Sequence, residues 1–282
     1  MITSDLVRQR VRTLPSLPTT VVSLGQAIAD ERCSVDRILN ILAKDPALSA
    51  TMLRLANSVM YAGDLRVMDL RTAVMRLGFE AILNLGRTAA IIRSFKGVNH
   101  LDIFRLWQHS VAVGLVSKGI CRLIKQNALD ESAYLAGLLH DIGKIALDRC
   151  FTDEYGPVVQ AIERGDAWLD AEFGHLGITH AEVGAMVAEH WSFPEAMVVA
   201  IRDHHQDHPV DFLPALVQIA DLLVRTRIPN GPADENLMFA LEEQPAYAVV
   251  FGSSDLDAER LTFSIDDELE HAVTFVKLAF QD

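Results

Sequence analysis

The sequence has few cysteines, no long apolar run and no convincing β-strand alternation. Its three cysteines, Cys33, Cys121 and Cys150, are widely spaced. They form no metal-binding pair, and their odd number does not indicate a disulfide framework. No run approaches the roughly 20 apolar residues that a membrane-spanning helix needs, and the first eight residues contain no apolar signal-peptide core. We therefore expect a cytoplasmic protein with reduced thiols and no membrane attachment.

Positive charge is also scarce, because 38 acidic residues outnumber 25 basic residues and give a net charge of −13. The acidic excess is concentrated near the end of the sequence. Residues 226–282 hold 12 acidic and 3 basic residues, whereas residues 1–99 hold 8 acidic and 13 basic residues. A strongly acidic chain is repelled by the phosphate backbone of nucleic acids, so we do not expect this protein to bind DNA, although residues 1–99 could still form a local basic face.

Apolar residues recur at helical spacing along almost the whole sequence, which predicts an all-α fold. Local signals predict where many of the helices begin and end. One helix is predicted from Thr152 to Glu163 and another from Phe212 to Arg225, and Gly78 is predicted to end a helix. The last 57 residues predict two or three more helices, separated at Gly231-Pro232 and at Gly252-Ser253-Ser254. Five residues are candidate helix N-caps: Ser34, Asp45 (before Pro46), Asp69, Asp130 and Thr179 (with Glu182).

The most informative stretch is Leu138-Leu139-His140-Asp141-Ile142-Gly143-Lys144, where an imidazole and a carboxylate lie side by side in an apolar helical pattern. Burying this pair is costly unless another group compensates, and a metal cation is an obvious compensator. Nine of the ten histidines lie between His100 and His208. An isolated histidine in an amphipathic helix is more often structural than ligating. We interpret five of them in this way: His100, His175, His190, His208 and His271.

A divalent metal centre is predicted from side chains on several helices or helix ends. Imidazole and carboxylate ligands suit one or two ions of iron, manganese, nickel or zinc, with magnesium as a further candidate. Asp141 has two oxygens and could bridge two ions, which together could clamp a phosphate and activate a water. Lys144 is four residues after His140, so we expect both on one helix face, with the ammonium group near a phosphate oxygen. The seven candidate ligands are His109, His140, Asp141, His180, His204, His205 and Asp221.

The order of these residues resembles the HD superfamily of metal-dependent phosphohydrolases, including its HD-GYP branch. Over residues 14–208 the sequence resembles still more closely the HDOD domain, an HD-related bacterial signalling module. The residues that carry this resemblance are Leu14-Pro15-Ser16-Leu17-Pro18, Asp45-Pro46-Ala47-Leu48-Ser49, Asn57-Ser58, Leu77-Gly78, Trp107-Gln108-His109-Ser110, Gly137 to Gly143, Glu172, His180, Gly184, Trp191, Pro194 and His204-His205.

The resemblance implies a multi-helical HD-type bundle with an HDOD domain over residues 14–208. Residues 1–98 would form an N-terminal helical lobe, residues 99–225 an HD-like metal-binding lobe, and residues 226–282 an acidic helical C-terminal extension. It also implies roles for the candidate ligands. In HD enzymes the core set corresponds here to His109, His140, Asp141 and Asp221, and a second ion would be bound by His180, His204 and His205.

The resemblance further implies that Asp141 bridges the ions and that Lys144 contacts phosphate, which makes both the expected catalytic residues.

Two departures from the HD-GYP branch matter. Arg105 stands where that branch has a metal-ligating glutamate, and it could instead bind the substrate phosphate or pair with a nearby acid and close the site. Gln206-Asp207-His208-Pro209 replaces the Gly-Tyr-Pro segment. We therefore do not expect hydrolysis of cyclic di-GMP.

Three functions remain open at the level of sequence. The preferred one is a bacterial signalling module that acts through a protein partner, with a metal centre that holds its two lobes together. The second is a phosphohydrolase acting on a nucleotide or another phosphoester, which requires an open coordination position and space for phosphate beside Lys144 and Arg105. The third, a helical scaffold without metal, requires the seven candidate side chains to be dispersed.

Overall fold

The computed structural model describes residues 1–16, 18–28, 30, 32–58, 61, 66–95, 97–229, 234, 237, 240–252 and 258–280, with α-helices throughout and no β-strand within these ranges. The predicted all-α fold is confirmed. None of the described helices is both long enough and apolar enough to cross a membrane. In chain order the helices are α1 (Ser4–Val11), α2 (Thr19–Ile28), α3 (Val35–Leu42), α4 (Pro46–Ala56), α5 (Leu70–Ser94), α6 (Ile103–Leu123), α7 (Asp130–Leu139), α8 (Ile142–Cys150), α9 (Thr152–Glu163), α10 (Trp168–Leu176), α11 (His180–His190), α12 (Glu195–Asp203), α13 (Phe212–Arg225), α14 (Pro245–Phe251) and α15 (Ala258–Phe280).

Four of the five predicted N-caps are confirmed. The side chains of Ser34, Asp45, Asp69 and Thr179 each accept a hydrogen bond from the backbone N–H three residues further on. These bonds satisfy backbone donors that have no partner inside the helix. The prediction for Asp130 is wrong, since this residue lies in the first turn of α7. Its carboxylate instead accepts a hydrogen bond of 2.6 Å from Arg122 Nε.

The backbone at Gly78 has a φ of 79°, which interrupts α5 where the sequence predicts a helix end. Glycine adopts positive φ at little cost, so the break follows from the residue type. Four residues that were predicted to separate helices, Gly231, Pro232, Ser253 and Ser254, lie outside the described residues, as does Leu17 of the family motif.

The chain divides into two compact units. One comprises Met1–Leu14 with Gly97–Ala272, and the other comprises Pro15–Lys96 with Val273–Asp282. The second unit has its own apolar core, in which α2 to α5 bury side chains such as Leu24, Leu42, Leu48 and Ile82. The domain boundaries that the sequence suggested remain predictions.

The first unit contains all seven predicted metal ligands. Within it, α6 and α7 approach each other closely because both helices have a glycine at the contact. A Cβ on Gly114 would lie 2.8 Å from the Tyr134 carbonyl oxygen, and one on Gly137 would lie 2.7 Å from the Val113 oxygen. This approach brings His109 on α6 near the end of α7, where the His140-Asp141 pair begins.

Candidate metal centre

The predicted ligands come from separate helices but lie together in the interior of the first unit. His109 is on α6, His180 is the first residue of α11, and Asp221 is on α13. His204 and His205 directly follow α12. The side chains are buried except for that of His205, which is partly exposed. The requirement for the metal-free scaffold, that these side chains be dispersed, is therefore not met.

The His140-Asp141 pair lies between two helices, because α7 ends at Leu139 and α8 begins at Ile142. The expectation of one continuous helix is wrong, but His140 Nε2 and Lys144 Nζ both lie near Asp141 Oδ2. Lys144 lies in the first turn of α8, and its Nζ donates a 2.7 Å hydrogen bond to Asp141 Oδ2. The backbone at Asp141 departs from helical geometry, with φ −96° and ψ 8°. Just after this break α8 packs closely on α11, where a Cβ on Gly143 would overlap the His180 carbonyl oxygen.

One half of the cluster, called the first half-site, consists of His109, His140, Asp141 and Asp221. His109 Nε2 lies 2.9 Å from Asp221 Oδ1 and 3.9 Å from Asp141 Oδ2. His140 Nε2 lies 3.4 Å from Asp141 Oδ2 and 3.8 Å from Asp221 Oδ1. Two imidazoles and two carboxylates thus face one point, as the ligands of a divalent ion do.

The other half, called the second half-site, consists of Asp141, His180, His204 and His205, whose candidate ligand atoms lie within 4.8 Å of one another. His180 Nε2 is 3.2 Å from Asp141 Oδ1 and 3.1 Å from His205 Nε2. Asp141 therefore presents Oδ1 to the second half-site and Oδ2 to the first. This geometry fits a carboxylate that bridges two ions.

Hydrogen bonds to backbone carbonyl groups fix the orientation of two of the imidazoles. His140 Nδ1 and His204 Nδ1 each lie 2.7 Å from a backbone carbonyl oxygen, that of Gly137 and that of Ile201. Since a carbonyl oxygen can only accept, Nδ1 carries the proton and Nε2 is left with its lone pair toward the cluster. His204 Nε2 is buried and has no hydrogen-bond partner among the described residues, as expected of a nitrogen that binds a cation.

The electrostatic environment favours the metal-binding protonation states of His204, His205 and Asp141. At His140, by contrast, burial is outweighed by the neighbouring Asp141 and Asp221, which raise its pKa. Burial, with the neighbouring histidines, holds the pKa of His204 well below its usual value and lowers that of His205 to about 3. Burial alone would raise the pKa of Asp141, but His140 and Lys144 hold that pKa well below its usual value. Metal ligation requires neutral imidazole and ionised carboxylate. The pKa shifts of His204, His205 and Asp141 therefore fit a bound divalent ion.

A cavity of about 230 Å³ lies beside the cluster. Asp141, Asp221 and His205 line it together with two cationic side chains, Lys144 and Arg225, and three further carboxylates, those of Asp166, Asp170 and Asp234. The residues that line this cavity thus combine ligands from both half-sites with two groups that bind phosphate.

Arg225 and Trp168 are among the lining residues that were not anticipated from the sequence. Arg225 lies one helical turn after Asp221, and its Nη1 is 3.6 Å from Asp221 Oδ2. Trp168 places its ring centroid 4.4 Å from Lys144 Nζ. By contrast, Arg105 is exposed and is not among the lining residues. The i, i+4 spacing of Asp221 and Arg225 is a sequence signal that could have identified the arginine.

Comparison with known proteins places the chain among HDOD proteins. The HDOD domain model matches residues 14–207. The structure of an HDOD domain protein with unknown function from Geobacter sulfurreducens is 27% identical, with a TM-score of 0.80 over 99% of this chain and 98% of that chain. A provisionally named phosphohydrolase from Shewanella amazonensis SB2B, 22% identical, shares the fold with a TM-score of 0.75 over 97% of this chain and 98% of that chain.

A sequence relative is an uncharacterized protein of Treponema pallidum (strain Nichols), which is 26% identical over 234 residues. The match covers 80% of this chain but 44% of that protein, so the chain spans less than half the length of this relative.

Proposed function

The chain belongs to the HDOD domain family, and we propose that its His/Asp cluster is a binuclear metal centre that hydrolyses phosphoesters. The observation that carries this proposal is the cavity beside the cluster. Asp141, Asp221 and His205 line it with Lys144 and Arg225, so a phosphate in that space would meet ligands of both half-sites and two cationic groups. A sealed cluster of histidines would instead have favoured a structural metal.

The residues present fit two divalent ions. His109, His140 and Asp221 would hold one ion, His180, His204 and His205 the other, and Asp141 would contact both. Nitrogen and oxygen donors suit iron, manganese, nickel or zinc, with magnesium less well matched to so many imidazoles. When bound, such ions act as Lewis acids and lower the pKa of a coordinated water.

The chain's own cationic residues would bind and orient the substrate. Lys144 is buried beside Asp141 and could move its ammonium group to a phosphate oxygen on the cavity side. The Arg225 guanidinium is aligned by Asp234, whose carboxylate accepts a 2.8 Å hydrogen bond from Nε. A planar guanidinium suits two oxygens of one phosphate. Trp168 forms part of the cavity wall and would exclude water from the phosphate site.

A regulatory function through a protein partner is the second candidate. The observation that favours it is the second unit, since Pro15–Lys96 and Val273–Asp282 contain no predicted metal ligand or catalytic residue among their described residues. This unit has no evident use in hydrolysis other than substrate selection. The two functions differ in whether the metal-loaded protein turns over a phosphoester.

The test is elemental analysis of untagged protein combined with a panel of phosphomonoesters, phosphodiesters and nucleotides. We expect about two ions per chain and turnover in wild-type protein. Asp141→Ala should lose most metal and all turnover, whereas Lys144→Met should keep the metal and lose about 100-fold in turnover. Bound metal without turnover on any substrate would overturn the hydrolase and leave the regulatory module.

A further inference from the structure

Glu172 on α10 is a fully buried acid that touches one of the candidate metal ligands. Its Oε2 accepts a 2.6 Å hydrogen bond from the backbone N–H of His180 and lies 2.7 Å from His180 Nδ1. Its Oε1 accepts a 3.1 Å hydrogen bond from the Tyr155 hydroxyl. Burial and the neighbouring Glu172 hold the pKa of Tyr155 well above its usual value, so the phenol keeps the proton that it donates.

This contact distinguishes His180 from the other two imidazoles whose Nδ1 is hydrogen-bonded. His140 and His204 each donate to a neutral backbone carbonyl, whereas His180 faces a carboxylate. A carboxylate behind an imidazole makes the opposite nitrogen a stronger donor to a cation. The difference lies within the second half-site, because His180 and His204 both belong to it.

The two half-sites also differ in carboxylates of their own. The first has Asp221 as well as the shared Asp141, while the second has Asp141 and three histidines. If Asp141 is divided between two ions, the second half-site alone lacks a negative charge of its own. Glu172 lies next to the second half-site, behind His180.

We infer that Glu172 is a positioning residue that supplies the missing negative charge of the second half-site through His180 and so controls binding of the second ion. This inference rests on the binuclear centre of the proposed function. Its outcome is measured as metal binding and does not require turnover.

The test is a titration of metal-free protein with Mn²⁺, followed by calorimetry and by electron paramagnetic resonance. Wild-type protein should bind two ions. Glu172→Gln keeps the size of the side chain and removes the charge, so it should bind one ion normally and the other about 10- to 100-fold more weakly. A matched control is Asp148→Asn, which removes another fully buried carboxylate of the first unit that accepts backbone N–H groups of Asn99 and His100. It should keep both ions.

Two further variants identify which ion is affected. Adding Glu172→Gln to His180→Ala should change metal binding little, because both substitutions act on the second half-site. Adding it to His109→Ala should remove most remaining metal. If Glu172→Gln does not fold, Glu172→Asp, which withdraws the carboxylate from His180, should bind one ion more weakly and leave the other unchanged.

Three results would overturn the inference. Glu172→Gln could weaken the binding of both ions equally, it could leave both affinities unchanged, or Asp148→Asn could lose as much affinity as Glu172→Gln. Wild-type protein that binds fewer than two ions would overturn both this inference and the proposed centre. Wild-type protein that binds two ions without turning over any phosphoester would contradict only the hydrolase.

Discussion

Gly143 packs so closely against the His180 carbonyl oxygen that a β-carbon at position 143 would overlap it, and that β-carbon would also lie 2.7 Å from the Gly184 backbone nitrogen. We predict that Gly143→Ala pushes α8 away from α11 and displaces His180. The overpacking should lower the free energy of unfolding by about 1–3 kcal/mol. It should also weaken binding of the ion in the second half-site. Thermal unfolding and metal titration would measure the two effects.

Gly174→Ala is the matched control for this substitution. Gly174 is an exposed residue within α10, and a Cβ there would meet no atom within 4 Å. Alanine favours the helix over glycine, so this variant should be as stable as wild type or more stable by about 0.5–1 kcal/mol, with unchanged metal binding. Equal stability of the two variants would contradict the close contact at Gly143.

Removal of metal should lower the melting temperature, because ions that bind only the native state add to its stability. With the free ion at 1,000 times its Kd, the contribution is about 4 kcal/mol per site, and its loss should lower the melting temperature by roughly 10 °C. Differential scanning calorimetry before and after chelation, followed by Mn²⁺ readdition, would measure this. Asp141→Ala should melt at the same temperature with and without chelator. A chelator effect that persists in this variant would argue against Asp141 as the shared ligand.

Cys121 should be inert in the native state. It is fully buried on α6, and burial, with a contribution from Asp130, raises its pKa to about 12. Because the thiolate is the reactive form, about one thiol in 10,000 is reactive at pH 8, and this fraction rises about tenfold with each pH unit below the pKa. Iodoacetamide should therefore label the partly exposed Cys33 long before Cys121, as measured by peptide mass spectrometry. In urea both should be labelled at similar rates. Rapid native labelling of Cys121 would contradict the packing of α6.

Local sequence signals predicted some elements closely and could not predict others. The bounds of α9 and α13 were predicted closely, because apolar spacing and nearby stop signals act within a few positions. The break at His140-Asp141 was missed, because the residues on both sides follow a helical pattern. The close contact between Gly143 and His180 beside this break is a long-range feature that periodicity does not report.

The candidate site shows the same limit. The ligand types and their order along the chain were visible in the sequence, and the structure brings all seven together. Which arginine lines the cavity depends on how the helices are placed around it. Arg105 and Arg225 each lie one turn from a candidate ligand, yet only Arg225 lines the cavity. Glu172 was visible as a family feature, but its contact with His180 is a property of the fold.

Trp168 should affect substrate binding without affecting metal. It forms part of the cavity wall, and its ring centroid is 4.4 Å from Lys144 Nζ, a cation–π contact of about 1 kcal/mol. Trp168→Ala removes this wall and frees the ammonium group to change position. We expect KM for a phosphoester to rise about fivefold with a smaller change in kcat, and the Kd of inorganic phosphate to rise by a similar factor. Both ions should remain, because the indole is not a metal ligand.

The control for Trp168 is Phe173→Ala, an exposed aromatic residue on the same helix that does not line the cavity. It should leave KM, phosphate affinity and metal content unchanged. Phosphate binding measured by calorimetry gives a readout that does not depend on turnover. If Trp168→Ala lost metal, the indole would be supporting the fold of the centre. If it kept both metal and phosphate affinity, the cavity would not be the phosphate site, and the phosphoester would have to approach the ions from another side.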